Sequence, residues 1–139
     1  MFVDTNVLVY ATAIGAPMRE RARNALVKAA ANEPLRLSRQ VMREFLAVIT
    51  RPQTWVHART VADAASAVAV VAQDFEILED GPAVWDALLD LCRKVDFGGK
   101  QVHDANIVAT MLAHGETRLL TFNGVDFTRF SAFIDVQSP

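Results

Sequence analysis

Four acidic residues stand in settings where a carboxylate could do chemistry. Asp4 follows Phe2-Val3 at the end of an expected strand. Glu44 lies in an apolar helical stretch among Val41, Phe45 and Val48. Asp104 falls early in a helix that follows the Gly98-Gly99 loop, beside Val102, Ala105, Ile107 and Val108. Asp126 closes the run Asn123-Gly124-Val125-Asp126 after a later strand. Singly, each has an ordinary explanation. Asp4 and Asp126 can serve turns, Glu44 can be a solvated acid near Arg39 and Arg43, and Asp104 can answer a helix dipole. Jointly they approach one end of a sheet from separate elements. Like charges brought together cost energy unless a cation lies among them. An all-oxygen donor set suits Mg²⁺ or Mn²⁺. Such an ion can activate water for in-line attack on a phosphodiester and steady the leaving oxygen.

No other constellation competes. His57, His103 and His114 are scattered, and His103 is expected on a different helical face from Asp104. Cys92 falls on an apolar helical stripe and is expected in the core. No glycine-rich phosphate loop and no zinc-ligand spacing occurs.

The elements that must position these acids alternate along the chain. A strand ends near Asp4, and a turn or short helix takes over. Helices are expected over 18–31, from Arg39 to Thr50 with Ser38 as its cap, over 60–73, from Pro82 through Cys92, and over 102–114, the last ended by Gly115. Strands are expected at 35–37, 75–78, 118–121 and 133–136, with a loop or short helical turn over 122–129. This order predicts a three-layer α/β/α sandwich on a mostly parallel sheet. Ligands of such sheets sit beyond the C-terminal strand ends. Asp4, Thr121 and Asn123 therefore share one edge.

The chain has 139 residues, of which 52% are apolar and 22% charged, so one globular domain over 1–139 is expected and two are excluded. Fourteen basic residues face sixteen acidic ones. That balance fits an acidic metal site with only a local basic rim, for which Arg39, Arg43, Arg51, Lys94 and above all Lys100 are candidates. The single cysteine excludes an internal disulfide and fits a reducing, cytoplasmic setting. The start carries Asp4 and no leading basic segment, so no signal peptide is expected, and no run is long enough to cross a membrane. Apolar surface on 62–72, on 84–92 and at Trp55 and Trp85 exceeds what one small sheet covers, which suggests a homodimer.

Several blocks together carry a family resemblance. They are Phe2-Val3-Asp4-Thr5-Asn6-Val7-Leu8-Val9-Tyr10, Glu44, Val102-His103-Asp104-Ala105-Asn106-Ile107-Val108-Ala109, and Leu119-Leu120-Thr121-Phe122-Asn123 followed by Asp126-Phe127. In this order, over essentially the whole chain, the sequence resembles PIN domains and more closely the VapC-type toxins of toxin–antitoxin pairs. The resemblance implies a Mg²⁺-dependent endoribonuclease, with Mn²⁺ able to substitute, acting on structured RNA such as tRNA or rRNA. It implies a homodimer and a cognate antitoxin as partners. Asp4, Glu44 and Asp104 match the family's three core acids, Thr5 and Asn6 the polar residues beside the first, and Thr121 the strand-four hydroxyl. Asn123 stands where many members carry a fourth acid, which leaves Asn123 or Asp126 as the fourth site position.

Rival readings are a PIN-like protein that binds RNA without cleaving it, and a phosphoryl-transfer protein. A receiver domain would want a late lysine on this edge, and none follows Lys100. A haloacid-dehalogenase-like phosphatase would want an aspartate where Asn6 stands.

Overall fold

The computed structural model describes all residues except Gln53, Trp55 and Val56, so the expectation placed on Trp55 lies outside the described residues. Among these residues, five short strands form one sheet: β1 (Phe2–Val3), β2 (Arg36–Ser38), β3 (Glu76–Leu78), β4 (Arg118–Leu120) and β5 (Asp135–Gln137). The order is β3-β2-β1-β4-β5. Every pairing is parallel, with Phe2 opposite both Arg36 and Leu119, and Leu119 opposite Val136. Buried on both faces, the central strands carry Phe2, Val3, Leu37 and Leu119, all fully excluded from solvent.

Among the described residues, six α-helices join these strands: α1 (Thr5–Thr12), α2 (Arg19–Ala30), α3 (Arg39–Ile49), α4 (Val61–Val71), α5 (Pro82–Lys94) and α6 (Gln101–Ala113). A 3₁₀ turn, Gly124–Phe130, links β4 to β5. α1 packs on α2 and α3, and α3 on α4, whereas α5 packs on α6 and α6 on the 3₁₀ turn. The steps from β1 to β2 to β3 run one way across the sheet, and the step from β3 to β4 runs back past β1. Right-handed crossovers therefore set the α1–α4 group and the α5–α6 group on opposite faces. The three-layer α/β/α sandwich is as expected.

Local chemistry explains the element ends. The Ser38 hydroxyl accepts from the Val41 amide at 3.2 Å and caps α3, a contact of about 1 kcal/mol. Thr60 caps α4 in the same way. Pro82 opens α5, where a missing N–H costs nothing. Gly115, at φ 69°, ends α6 in the left-handed region. The apolar Val7–Tyr10 run is helical in α1 and buries Val7 and Leu8.

The strand starts are tied at the edge opposite Asp4. Glu116 is buried there and accepts from the Met1 ammonium (2.9 Å), the Arg36 guanidinium (2.8 Å) and the Thr117 and Arg118 amides (2.9 Å each). Burial disfavours its charge. The ammonium, the Arg118 amide and Arg36 outweigh that and hold the carboxyl at about 2. One sequence expectation is corrected: Cys92 is exposed. Val84, Leu88 and Leu91 are the buried side of α5, and Cys92 lies one step off that stripe.

Candidate active site

The sheet reverses its winding between β1 and β4, and the crevice outside those strand ends is where a doubly wound sheet binds ligands. A pocket of about 350 Å³ opens there. Asp4, Thr5, Asn6, Tyr10, Glu44, Asp104, Asn123 and Asp126 are among its lining residues. Seven of the eight site residues expected from sequence are in its wall. Thr121 lies directly behind Asp4, fully buried.

Asp4 ends β1 in extended geometry and is the residue before α1, yet it makes no helix-capping hydrogen bond. Its Oδ2 accepts from the Thr121 hydroxyl and from Asn6 Nδ2, each at 2.6 Å. Asn6 Nδ2 also donates to Thr121 Oγ1 (3.0 Å), and Asn6 Oδ1 accepts from the Phe122 amide (3.0 Å). The Asn123 amide donates to Thr121 Oγ1 at 3.0 Å. Thr121 and Asn6 thus lock the ends of β1 and β4 together and fix the orientation of Asp4. Asp4 is only 7% exposed. Burial pushes its carboxyl up to about 6, against the pull of the Thr121 hydroxyl and the Thr5 amide, and the charges of Glu44 and Asp104 push the same way as burial.

Glu44 reaches in from α3. Its Oε2 accepts from Thr5 Oγ1 (2.7 Å) and its Oε1 from Gln40 Nε2 (2.8 Å). Asp104 reaches in from α6, half-buried. Burial, Asp126 and Glu44 raise its pKa, and His103 and Arg129 oppose them. Asp126 arrives from the exposed face of the 3₁₀ turn. Among the described residues, no basic side chain hydrogen-bonds to any of these four acids. Two layers and two strand ends therefore converge on a pocket of negative charge that no direct ion pair among the described residues neutralises, a costly arrangement without a cation.

The donor set is entirely hard oxygen, the chemistry that suits Mg²⁺ or Mn²⁺ rather than a soft metal. The acids surround the pocket without closing on one point: no three Asp, Glu, His or Cys of the described residues form a group set to hold a single ion. The expectation that Asp4, Glu44 and Asp104 stand together around one shared cation is corrected to that extent. Thr5 and Gln40 hold Glu44 back on α3, and mutual repulsion favours separation of the anions. The donors fit the ion by chemistry and by common pocket.

None of the five basic residues expected to grip substrate lines this pocket. Arg39 is paired with Glu79, and Lys94 with Asp90 at 2.6 Å. Arg43 lines an adjoining cleft with Gln40, Glu44, His103 and Asn106. Arg129 acts on Asp104 alongside His103, and sequence reading passed over it because a 3₁₀ turn has no readable periodicity. Gln40 was also missed. Its place four residues before Glu44 on a helix was the available signal.

The structure is thus an α/β/α sandwich whose winding reversal opens on a pocket carrying four carboxylates. The PIN domain family model matches residues 1–132, and the chain belongs to that family. It is homologous to VapC-type toxins of type II toxin–antitoxin systems. Over 133 residues it is 35% identical to the VapC ribonuclease Mb2897 of Mycobacterium bovis and to ribonuclease VapC43 of Mycobacterium tuberculosis, covering 92% of this chain and 88% of each relative. Among solved structures, the Mycobacterium tuberculosis sarcin–ricin loop cleaving toxin VapC20 superposes with a TM-score of 0.71 at 17% identity, covering 96% of this chain and 95% of that one. VapBC2 of Rickettsia felis, solved on a promoter DNA fragment, gives 0.70 at 19% identity, covering 99% and 96%. At such identities these two likenesses speak to the fold alone.

Proposed function

We propose that this chain is a Mg²⁺- or Mn²⁺-dependent endoribonuclease and the toxin of a toxin–antitoxin pair. The observation that carries the reading is the pocket itself: Asp4, Glu44, Asp104 and Asp126, delivered by four separate elements, with no protein cation among the described residues hydrogen-bonded to them. The ribonuclease names of its 35%-identical relatives support RNA as the substrate class. The toxin–antitoxin complexes among its structural neighbours support an antitoxin partner.

Asp4 and Asp104 would hold the ion, with Glu44 and Asp126 completing the negative field. When bound, the ion supplies positive charge at the scissile phosphate and lowers the pKa of water for in-line attack. The residues of the chain do the positioning. Thr121 and Asn6 fix Asp4 through one of its oxygens. Thr5 and Gln40 orient Glu44 with neutral donors and leave its charge in place. Asn123 offers the pocket an amide but no charge. Structured RNA such as tRNA or rRNA is the proposed substrate, in a cytoplasmic setting. No helix of the described residues is long and apolar enough to cross a membrane.

A homodimer completes the proposal. Trp85 and Leu89, one turn apart on α5, are 58% and 36% exposed, and Val61 and Val70 on α4 are 71% and 61% exposed. Apolar side chains this open on two helices suit burial against a second copy or an antitoxin. Sedimentation at several concentrations tests the first: dimer is expected, and a monomer at all concentrations would remove that part. RNA cleavage in Mn²⁺, and its loss in EDTA, tests the activity.

A further inference from the structure

Glu44 and Asp104 enter the pocket from opposite helical layers, α3 on one face of the sheet and α6 on the other. Their relative placement depends on whatever spans the end of the sheet between them. Gln40 does so. It lies one turn before Glu44 on α3 and is 7% exposed. Its Nε2 donates both to Glu44 Oε1 (2.8 Å) and to the His103 carbonyl on α6 (2.9 Å). Its Oε1 accepts from Asn106 Nδ2, also on α6, at 2.7 Å. Both amide hydrogens and the oxygen are engaged, which fixes the amide's orientation. Turned over, it would set its oxygen against two acceptors and its NH₂ against another NH₂.

We propose that Gln40, aligned by Asn106, is a positioning residue that sets Glu44 against Asp104 and thereby the affinity of the pocket for its divalent cation. This rests on the reading of the pocket as a metal-dependent ribonuclease site. Two features favour the role over simple packing. First, the bond to His103 grips the residue just before Asp104, so one side chain holds both acid-bearing turns. Second, the hydrogen-bond donors to Glu44 among the described residues, Thr5 and Gln40, are neutral. An arginine or lysine here would hold Glu44 equally well but cancel the charge a cation needs. Arg39, on the same helix, instead spends its charge on Glu79 away from the pocket.

The test compares the full chain with Gln40→Met, which keeps the length of the side chain and removes its polar atoms, and with Asn106→Ala, which leaves Gln40 in place but unaligned. Mn²⁺ binding is measured by calorimetry on metal-free protein, alongside the melting temperature and kcat and KM on an RNA oligonucleotide. Loss of an outer-shell partner costs metal affinity about 10–100-fold. Gln40→Met should lie in that range, with kcat reduced and KM little changed, and Asn106→Ala should lie between it and wild type. A folded Gln40→Met with wild-type Mn²⁺ affinity and kcat would overturn the proposal, even if it melts lower. Should that variant fail to fold, wild-type Mn²⁺ affinity in Asn106→Ala would overturn it equally. A wild type that binds Mn²⁺ but cleaves no RNA would refute the ribonuclease reading and leave the Mn²⁺ comparison to decide the role of Gln40. A wild type that binds no Mn²⁺ would defeat both.

Discussion

Replacing Asp4 with asparagine should stabilise the metal-free protein at neutral pH. The Asp4 carboxyl sits at about 6 against an ordinary 3.8, chiefly because it is buried. Each unit is worth 1.36 kcal/mol, so keeping Asp4 ionised at pH 7.5 costs about 3 kcal/mol relative to the unfolded chain. Because the folded pKa is the higher one, the native state binds the proton more tightly. The contribution of Asp4 to stability is therefore most favourable below about pH 4, falls as pH rises through the interval from 3.8 to about 6, and is level above it. Asn6 and Thr121 both donate to the same oxygen, Oδ2, and an amide oxygen can accept both bonds. Asp4→Asn should therefore keep the fold and lose the slope. At pH 7.5 the variant should gain up to about 3 kcal/mol, on the order of 10 °C in melting temperature, with the gap closing by pH 4. Thermal melts across this range in EDTA are the assay. Saturating Mn²⁺ should erase or invert the gap, since an ion bound only by the native wild type stabilises it by mass action. A variant that melts below wild type at pH 7.5, or a gap independent of pH, would refute the reasoning.

Three further outcomes follow from the same geometry. Asp126→Ala should raise the Mn²⁺ concentration needed for half-maximal cleavage and Asn123→Asp should lower it, because both residues line the pocket and the first removes a carboxylate where the second adds one; superimposable Mn²⁺ curves from folded proteins would exclude both from the metal's field. Glu116→Gln should cost on the order of 3 kcal/mol, since it strips a partner from Arg36 and the Met1 ammonium. Glu116 is held at about 2 against an ordinary 4.5, so its contribution is present above pH 4.5 and is lost as pH falls toward 2. Acid unfolding of wild type and variant should thus converge at the lowest pH. Ser38→Ala should cost about 1 kcal/mol in a urea melt, while Mn²⁺ affinity of the folded protein stays unchanged.

Most of the fold was legible because local signals agreed with one another. Ser38, Thr60, Pro82 and Gly115 mark helix ends by their own chemistry, and each does so in the structure. Strand limits moved by one or two residues, as with β5 at Asp135–Gln137 against an expected 133–136, because ladder pairing with β4 sets them. Asp4 and Thr121 were placed by a topological rule that needs only the order of elements. Of the contacts that orient Glu44, the i, i+4 spacing of Gln40 was open to a sequence reading, and what anchors Gln40 was not. Gln40 reaches across two helical layers to Asn106, 66 positions along the chain, and no local pattern reports such a contact. Cys92 was misplaced because a stripe read from sequence is accurate only to about one residue of rotation. Arg129 escaped notice because its distance from Asp104 is a product of the 3₁₀ turn.

The central claim is that the carboxylate pocket cleaves RNA with a divalent cation. Its most direct test follows structured RNA on a gel with purified wild type, Asp4→Asn and Asp104→Asn, each in Mn²⁺ and in EDTA. Internal cleavage by wild type in Mn²⁺ alone, with both folded variants inactive or at least ~100-fold slower, is the predicted result. Cleavage by wild type that persists in EDTA, or at an undiminished rate in Asp104→Asn, would contradict it.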